Sequence, residues 1–343
     1  MQPRISYKIP FTILLLVLLL CFIVNISLGS VAIPFIETIK AIFNEPLINE
    51  AWGYIIWNYR IPKALTAVLV GSGLALSGLL MQTLFRNPLA GPFVLGISSG
   101  ASLGAALLIM GSSLFSGIFT FGLVNDVSLA IVSSVGSFIV LLAVMAVASK
   151  VKDTMALLII GLMFGSITAA VVSVLSYFTN AEKLQQYIYW SFGSLGNLSW
   201  SQLGLLFLIL TLGVLLSIAA IKSLNAMLLG ENYARSLGVD ILKKRFLIIL
   251  ATGLLAGGIT AFAGPIAFVG LAVPHLTRQI FNTTDHRTLV PAVLLYGAIL
   301  MLVCDTIAQL PTSANVLPIN AITSIIGAPV VIWLLVRKRN MVF

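Results

Sequence analysis

The chain alternates long apolar runs with short polar breaks. The runs cover Ile9 to about Val31, Pro62 to Leu84, Phe93 to Met110, Ser128 to Ala148, Thr154 to Phe178 and Trp200 to Ala220. Four more follow: Leu247 to Phe262, the shorter Ile266 to Leu276, Leu289 to Leu310 and Ala321 to Val336. Most come close to the roughly 20 residues that an α-helix needs to cross a bilayer. Hydrocarbon offers no partner to an open backbone amide or carbonyl, so the spanning elements must be helices. The pattern predicts an all-α integral membrane protein, a single polytopic domain over residues 1–343 with about ten transmembrane helices. The basic start at Arg4 and Lys8 followed by an apolar run also describes a cleaved leader, but the run is long for one and reads as a first span. Small residues four apart, at Gly71 and Ala75, Gly73 and Ser77, Gly100 and Gly104, Gly161 and Gly165, and Gly253 and Gly257, predict close helix–helix approach.

Composition agrees. Charged residues are 8% of the chain, against about 25% in soluble proteins. The net charge of +9 could suggest nucleic acid, but the basic residues flank apolar runs and form no soluble basic domain. They are distributed by side. With ten spans, all of the 19 Lys and Arg residues except Lys40, Arg60, Lys63 and Lys183 fall on the side of the termini. By the positive-inside rule that side is cytoplasmic.

The longest polar break, Ile221 to Phe246, is therefore cytoplasmic as well. Gly230 and Gly238 bracket a stretch in which Glu231 suits a helix start, Arg235 lies four residues on, and Gly238 offers a left-handed C-cap. Two readings fit: a short surface helix offered to a partner, or a solvated loop. Lys243, Lys244 and Arg245 are expected to anchor the next span at the anionic leaflet.

Little chemistry is present. No GxxxxGK[ST] loop occurs, and His275 and His286 are the only histidines, without an accompanying metal or protease motif. Cys21 and Cys304 sit in apolar runs without metal spacing. No catalytic residue, cofactor or metal is expected. Asp305, in an apolar run, is either hydrogen-bonded to a neighbouring helix or the ionisable group of an ion-gradient-driven secondary transporter. The turns Ala90-Gly91-Pro92-Phe93 and Ala263-Gly264-Pro265-Ile266 echo each other, as an inverted repeat or by chance.

The segment Arg60 to Ala105 (RIPKALTAVLVGSGLALSGLLMQTLFRNPLAGPFVLGISSGASLGA) resembles the FecCD-type permeases of ABC importers for iron–siderophores, haem and cobalamin. So do LNAMLLGENYARSLGV, AGPIAFVGLAVPHLTR, TDHRTLVP and IIGAPVVIWLL, in order along essentially the whole chain. The resemblance implies a cobalamin-importer-permease-like fold with both termini cytoplasmic, in a bacterial inner membrane. It implies a homodimer of permeases, two cytoplasmic ATP-binding subunits and an external binding protein, with membrane lipid around it and no nucleic acid. The cargo implied is a bulky metal chelate, an iron(III)–siderophore first, with haem and cobalamin as the other members of the class. Residues 222–245 would be the coupling loop, with Gly230, Glu231, Ala234, Arg235, Leu237 and Gly238 at the ATPase. Arg60 and Lys63 match the external pair that docks the binding protein, although they also suit snorkelling at the interface. Thr154 would stand at the inner gate, and Gly161, Gly165, Ser166, Thr168 and Ser173 would line the path. Gln309 stands where relatives carry arginine, and Asn320 where glycine is usual in LPxG.

Overall fold

The structure is a computed structural model that describes residues 7–111, 126–151, 153–310, 313 and 315–336, without the side chains at 126, 154, 334 and 335. Arg4, Lys152, Arg337, Lys338 and Arg339 lie outside the described residues. The described elements are helical throughout: α1 (Lys8–Ser27), α2 (Phe35–Ile42), α3 (Glu50–Ile55), α4 (Ile61–Leu84), α5 (Ile97–Ile109), α6 (Asp126–Ala148), α7 (Thr154–Phe178) and α8 (Ala181–Ser191). The second half holds α9 (Trp200–Leu228), α10 (Glu231–Ser236), α11 (Ile241–Thr252), α12 (Gly258–Ala263), α13 (Val269–Phe281), α14 (His286–Ala308) and α15 (Ile319–Val336). Among the described residues, seven stretches are long and apolar enough to cross a membrane: α1, α3 with α4, α6, α7, α9, α11 with α12, and α14. Alpha helices α5, α13 and α15 are shorter, yet each coincides with an apolar run of the sequence.

Three differences from the sequence expectation have simple causes. Helix α9 runs on to Leu228, because Leu224, Ala226 and Met227 bury an inward stripe past the last wholly apolar turn. The seventh run is two helices joined by a π-helical turn, Gly253–Gly257, at the glycine-rich stretch where backbone approach is easiest. The eighth helix starts at Val269 and ends at Phe281, beyond the Ile266 to Leu276 expected, because Gly264 and Phe268 both take positive φ, at 75° and 65°. The polar connections are also ordered. Short helices α2, α3 and α8 fill two of them, and the Trp57 indole N–H donates to the Ala41 carbonyl at 3.0 Å.

Helix α4 is the centre of the bundle, with α14, α13, α9 and α11 packed around it. It is buried almost from end to end because its small residues meet backbone directly. A β-carbon at Gly71 would strike the Gly297 carbonyl, and one at Gly78 the Gly270 carbonyl. Gly100 and Gly136 meet in the same way between α5 and α6. The small-residue spacing thus marks helix crossings, as close packing in a membrane requires. The two echoing Ala-Gly-Pro turns each precede a short helix. Pro92 rests on Gly270, so α5 and α13 start beside one another and leave in opposite directions.

Candidate functional site

One polar cluster ties together the end of α1, the start of α4 and the end of α14. Asp305 is buried and pairs with Lys63, Nζ to Oδ1 at 3.1 Å. Its other oxygen, Oδ2, accepts from Asn25 Nδ2 at 2.9 Å and from Gln309 Nε2 at 2.7 Å. Asn25 also donates to the Thr306 hydroxyl at 3.0 Å. Asp305 is therefore a hydrogen-bonded structural residue, the first of its two sequence readings. Gln309 serves as a neutral donor to a carboxylate that Lys63 already balances. Asn25 was missed, although a lone amide in an apolar run is the kind of residue that seeks an interhelical partner.

Arg60 is likewise engaged inside the chain. Its Nη1 donates to the carbonyls of Ile26 and Ser27 at 2.8 and 2.7 Å, and its Nη2 to that of Val31. These are the carbonyls left open where α1 ends, so the guanidinium acts as a C-terminal cap. Arg60 and Lys63 also line a hollow of about 330 Å³, together with Asn25, Tyr59 and Gln309. Asn320 replaces the expected glycine without strain. It sits inside α15, where its Oδ1 accepts the Ala267 amide at 3.0 Å and its own amide donates to the Phe192 carbonyl at 3.2 Å.

Helix α7 is the least covered long element after α1. Asp153 caps it, its carboxylate accepting the Met155 amide at 3.0 Å. Thr154 begins the helix, and its side chain is not among those described. One stripe faces inward: Leu157 and Thr168 are buried, and Gly161 lies against the Val94 carbonyl. Gly165 is next to Ser99. The expected path residues therefore divide. Gly161, Gly165 and Thr168 pack on α5 and the turn before it, whereas Ser166 and Ser173 stay on the open face with Met155, Ile159, Met163 and Ile167.

The segment after α9 forms the expected short helix. Gly230, at φ 110°, turns the chain into α10, and Gly238, at φ 81°, ends it. The Gly238 amide donates to the Arg235 carbonyl at 2.9 Å and the Val239 amide to that of Ala234 at 3.0 Å. Asn232, Tyr233, Arg235 and Ser236 of the helix are exposed, and Leu229 before it and Leu237 after it add apolar side chains to that outward surface. Ala234 corrects the expectation. It is fully buried against its own chain, while Tyr233 before it and Leu237 after it are exposed.

Arg245 is the second correction. It does not reach for the leaflet; its side chain is 3% exposed and turned inward. Nη2 donates to Glu231 Oε1 at 3.0 Å and Nη1 to the Val151 carbonyl at 3.0 Å. Glu231 thus pairs with Arg245 and not with Arg235. Successive residues of a helix are about 100° apart, so Arg245 can be buried while Lys243 next to it stays in solvent.

On the same side, His286 is held by Thr83 Oγ1 at 2.8 Å and Asn225 Oδ1 at 2.7 Å, and Arg278 donates to Gln82 Oε1 at 2.7 Å. These bonds join α4, α9, α13 and the start of α14. No group of three or more metal-ligating side chains occurs among the described residues.

Comparison with known proteins places this geometry. The vitamin B12 import system permease protein BtuC of Klebsiella pneumoniae is 36% identical over 341 residues, 99% of this chain and 97% of that one. The hemin transport system permease protein HmuU of Yersinia pestis is 34% identical over 346 residues, 99% of each. A solved inward-facing metal-chelate type ABC transporter superposes with a TM-score of 0.83 at 31% identity, covering 97% of this chain and all of that one. These relatives are transport subunits and not enzymes, as is this chain. The family model for FecCD transport matches residues 16–337, and the chain belongs to that family.

Proposed function

We propose that this chain is the membrane-spanning subunit of an ATP-driven importer for a bulky metal chelate, with an iron(III)–siderophore as the first cargo to test. In this reading it crosses a bacterial inner membrane about ten times with both termini cytoplasmic, and two copies form the pathway. Two ATP-binding subunits drive it and an external binding protein supplies it. The observation that carries the proposal is α10. It is bounded by a positive-φ glycine at each side and exposes Tyr233, with Leu229 and Leu237 exposed just before and after it, on the side rich in basic residues. Such a rigid apolar face suits a groove in a partner that must push on it. The relatives named for vitamin B12 and hemin support the chelate class.

The rest of the assembly follows from exposed surfaces. The open face of α7, apolar with Ser166 and Ser173 among the large side chains, suits a second copy and a weakly interacting passage. Its start near Thr154 is the proposed inner gate, and cysteines placed there in two copies should crosslink in the closed state. Arg60 and Lys63 rim the outer hollow, where carboxylates of a binding protein would share each cation with its internal acceptors. An ion-gradient carrier working through Asp305 is not favoured, because that carboxylate already holds Lys63, Asn25 and Gln309.

The experiment is uptake into proteoliposomes that carry the permease, its ATPase and its binding protein. Ferric siderophore, haemin and cobalamin are offered separately, with and without vanadate. Vanadate-sensitive uptake of the siderophore is expected. Uptake that persists without the ATPase would overturn the mechanism, and uptake of haemin or cobalamin alone would overturn the cargo.

A further inference from the structure

We propose that Arg245 is a positioning residue for transport, the side chain through which movement of α10 reaches the turn that begins α7. The inference rests on reading α10 as the contact for an ATPase. Three separate pieces of chain meet at this one guanidinium. Its own backbone is the fifth residue of α11, one arm holds the first residue of α10, and the other arm holds the Val151 carbonyl. Val151 lies in the turn that follows α6, closed by its own amide donating to the Val147 carbonyl at 3.0 Å. Two residues later Asp153 caps α7. The α7 start is thus linked to α10 by the two polar contacts of Arg245, the chain from Val151 to Asp153 and the Asp153 cap, each contact at 3.0 Å.

The chemistry of the side chain suits a strut. Arginine is a flat, rigid fork that holds two acceptors in fixed relative positions, whereas lysine is a single point on a flexible stem. The fork is almost entirely shielded from water, so neither acceptor can be exchanged cheaply for solvent. A surface anchor would require none of this, and the neighbouring Lys243 shows the contrast, with its side chain 84% exposed. A purely local role would be met by the Glu231 pair alone; the second arm, reaching a different connection, is what assigns transmission.

The test uses the assembled permease–ATPase complex in liposomes, with a spin label on Met155→Cys and with Cys21 and Cys304 replaced by alanine. Met155 is exposed at the start of α7. In the parent, vanadate trapping should change the distance between the two labels. The R245K variant keeps the charge and one acceptor. It should still co-purify with the ATPase and hydrolyse ATP within roughly two-fold of the parent, but the label distance should stop responding and uptake per ATP should fall about ten-fold, a typical size for coupling between sites. The E231R/R245E exchange keeps an ion pair between α10 and α11 and removes the donor to Val151, so it should uncouple in the same way. It decides the matter should R245K not insert. Parental uptake per ATP and a parental distance response in either variant overturn the inference. A parent complex that transports with α10 off the ATPase, shown by no loss of co-purification on Leu237→Ser, overturns the reading of α10 instead and this inference with it.

Discussion

Among the described residues two ion pairs join separate helices of this permease, and they differ in what they join. At one side Lys63 and Asp305 connect three long helices, α1, α4 and α14, with Asn25 and Gln309 completing the carboxylate. At the other, Arg245 and Glu231 connect a six-residue helix to the second turn of α11, and the same arginine reaches on to a turn. The first pair lies where helices are already packed along their length, so it fixes the register of a static bundle. The second lies where the elements are short and share little apolar contact, so the polar bonds carry the positional information. Burial alone does not distinguish the two; what each side chain connects does.

The largest expected effect breaks the first pair. Asp305→Ala would leave Lys63 without its counter-ion, a loss of about 3–5 kcal/mol for a buried pair, read by denaturant unfolding in detergent. Lys63→Met combined with Asp305→Leu should be close to neutral in stability and should leave ATP-driven uptake intact. Lost uptake in a well-folded double variant would make the outer pair part of the transport cycle and erase the contrast. Next, Arg60→Met would release the carbonyls that end α1. Leaving such acceptors open costs about 1–3 kcal/mol, which a lower melting temperature would report.

Smaller effects sharpen the inner side. Ala234→Leu should destabilise the permease itself by about 1–3 kcal/mol through overpacking. Leu237→Ser, on the exposed face, should change stability by less than about 0.5 kcal/mol and reduce ATPase co-purification. The reverse result would invert the faces of α10. The smallest effect belongs to Lys243. Its backbone amide first, and then its ammonium, hold the Asp240 carboxyl below the ordinary aspartate range. A lowered carboxylate pKa gives stability that is present above the ordinary value and fades as pH falls through the lowered one. Lys243→Gln should therefore be slightly less stable than the parent at neutral pH, and parent and variant should converge in acid as Asp240 protonates.

The helices were legible in the sequence because lipid imposes length and apolarity on each separately. The short helix α10 was legible as one of two readings, since Gly230, Glu231 and Gly238 are local signals. What could not be read were partnerships. Nothing near Lys63 points to Asp305, far along the chain, and nothing near Arg245 points to Val151. Arg245 stands beside Lys243 and Lys244, so a run of charges suggested one shared role, where the helical rotation between them gives two. In the same way, Gly161 and Thr168 have the small, mildly polar character of a passage wall, but their side of α7 is taken by Val94 and α5.

The crossings of α4 have a mechanical consequence. Gly71 sits on Gly297 and Gly78 on Gly270 without room for a methyl group. A slip of one turn along either joint would bring larger side chains, such as Leu74 or Met81, onto backbone oxygen. Interlocked parts of this kind can neither slide nor ratchet; they can only rotate together. Helices α4, α13 and α14 thus form a keyed shaft, and any motion that opens a passage has to be made by the elements that are not keyed to it.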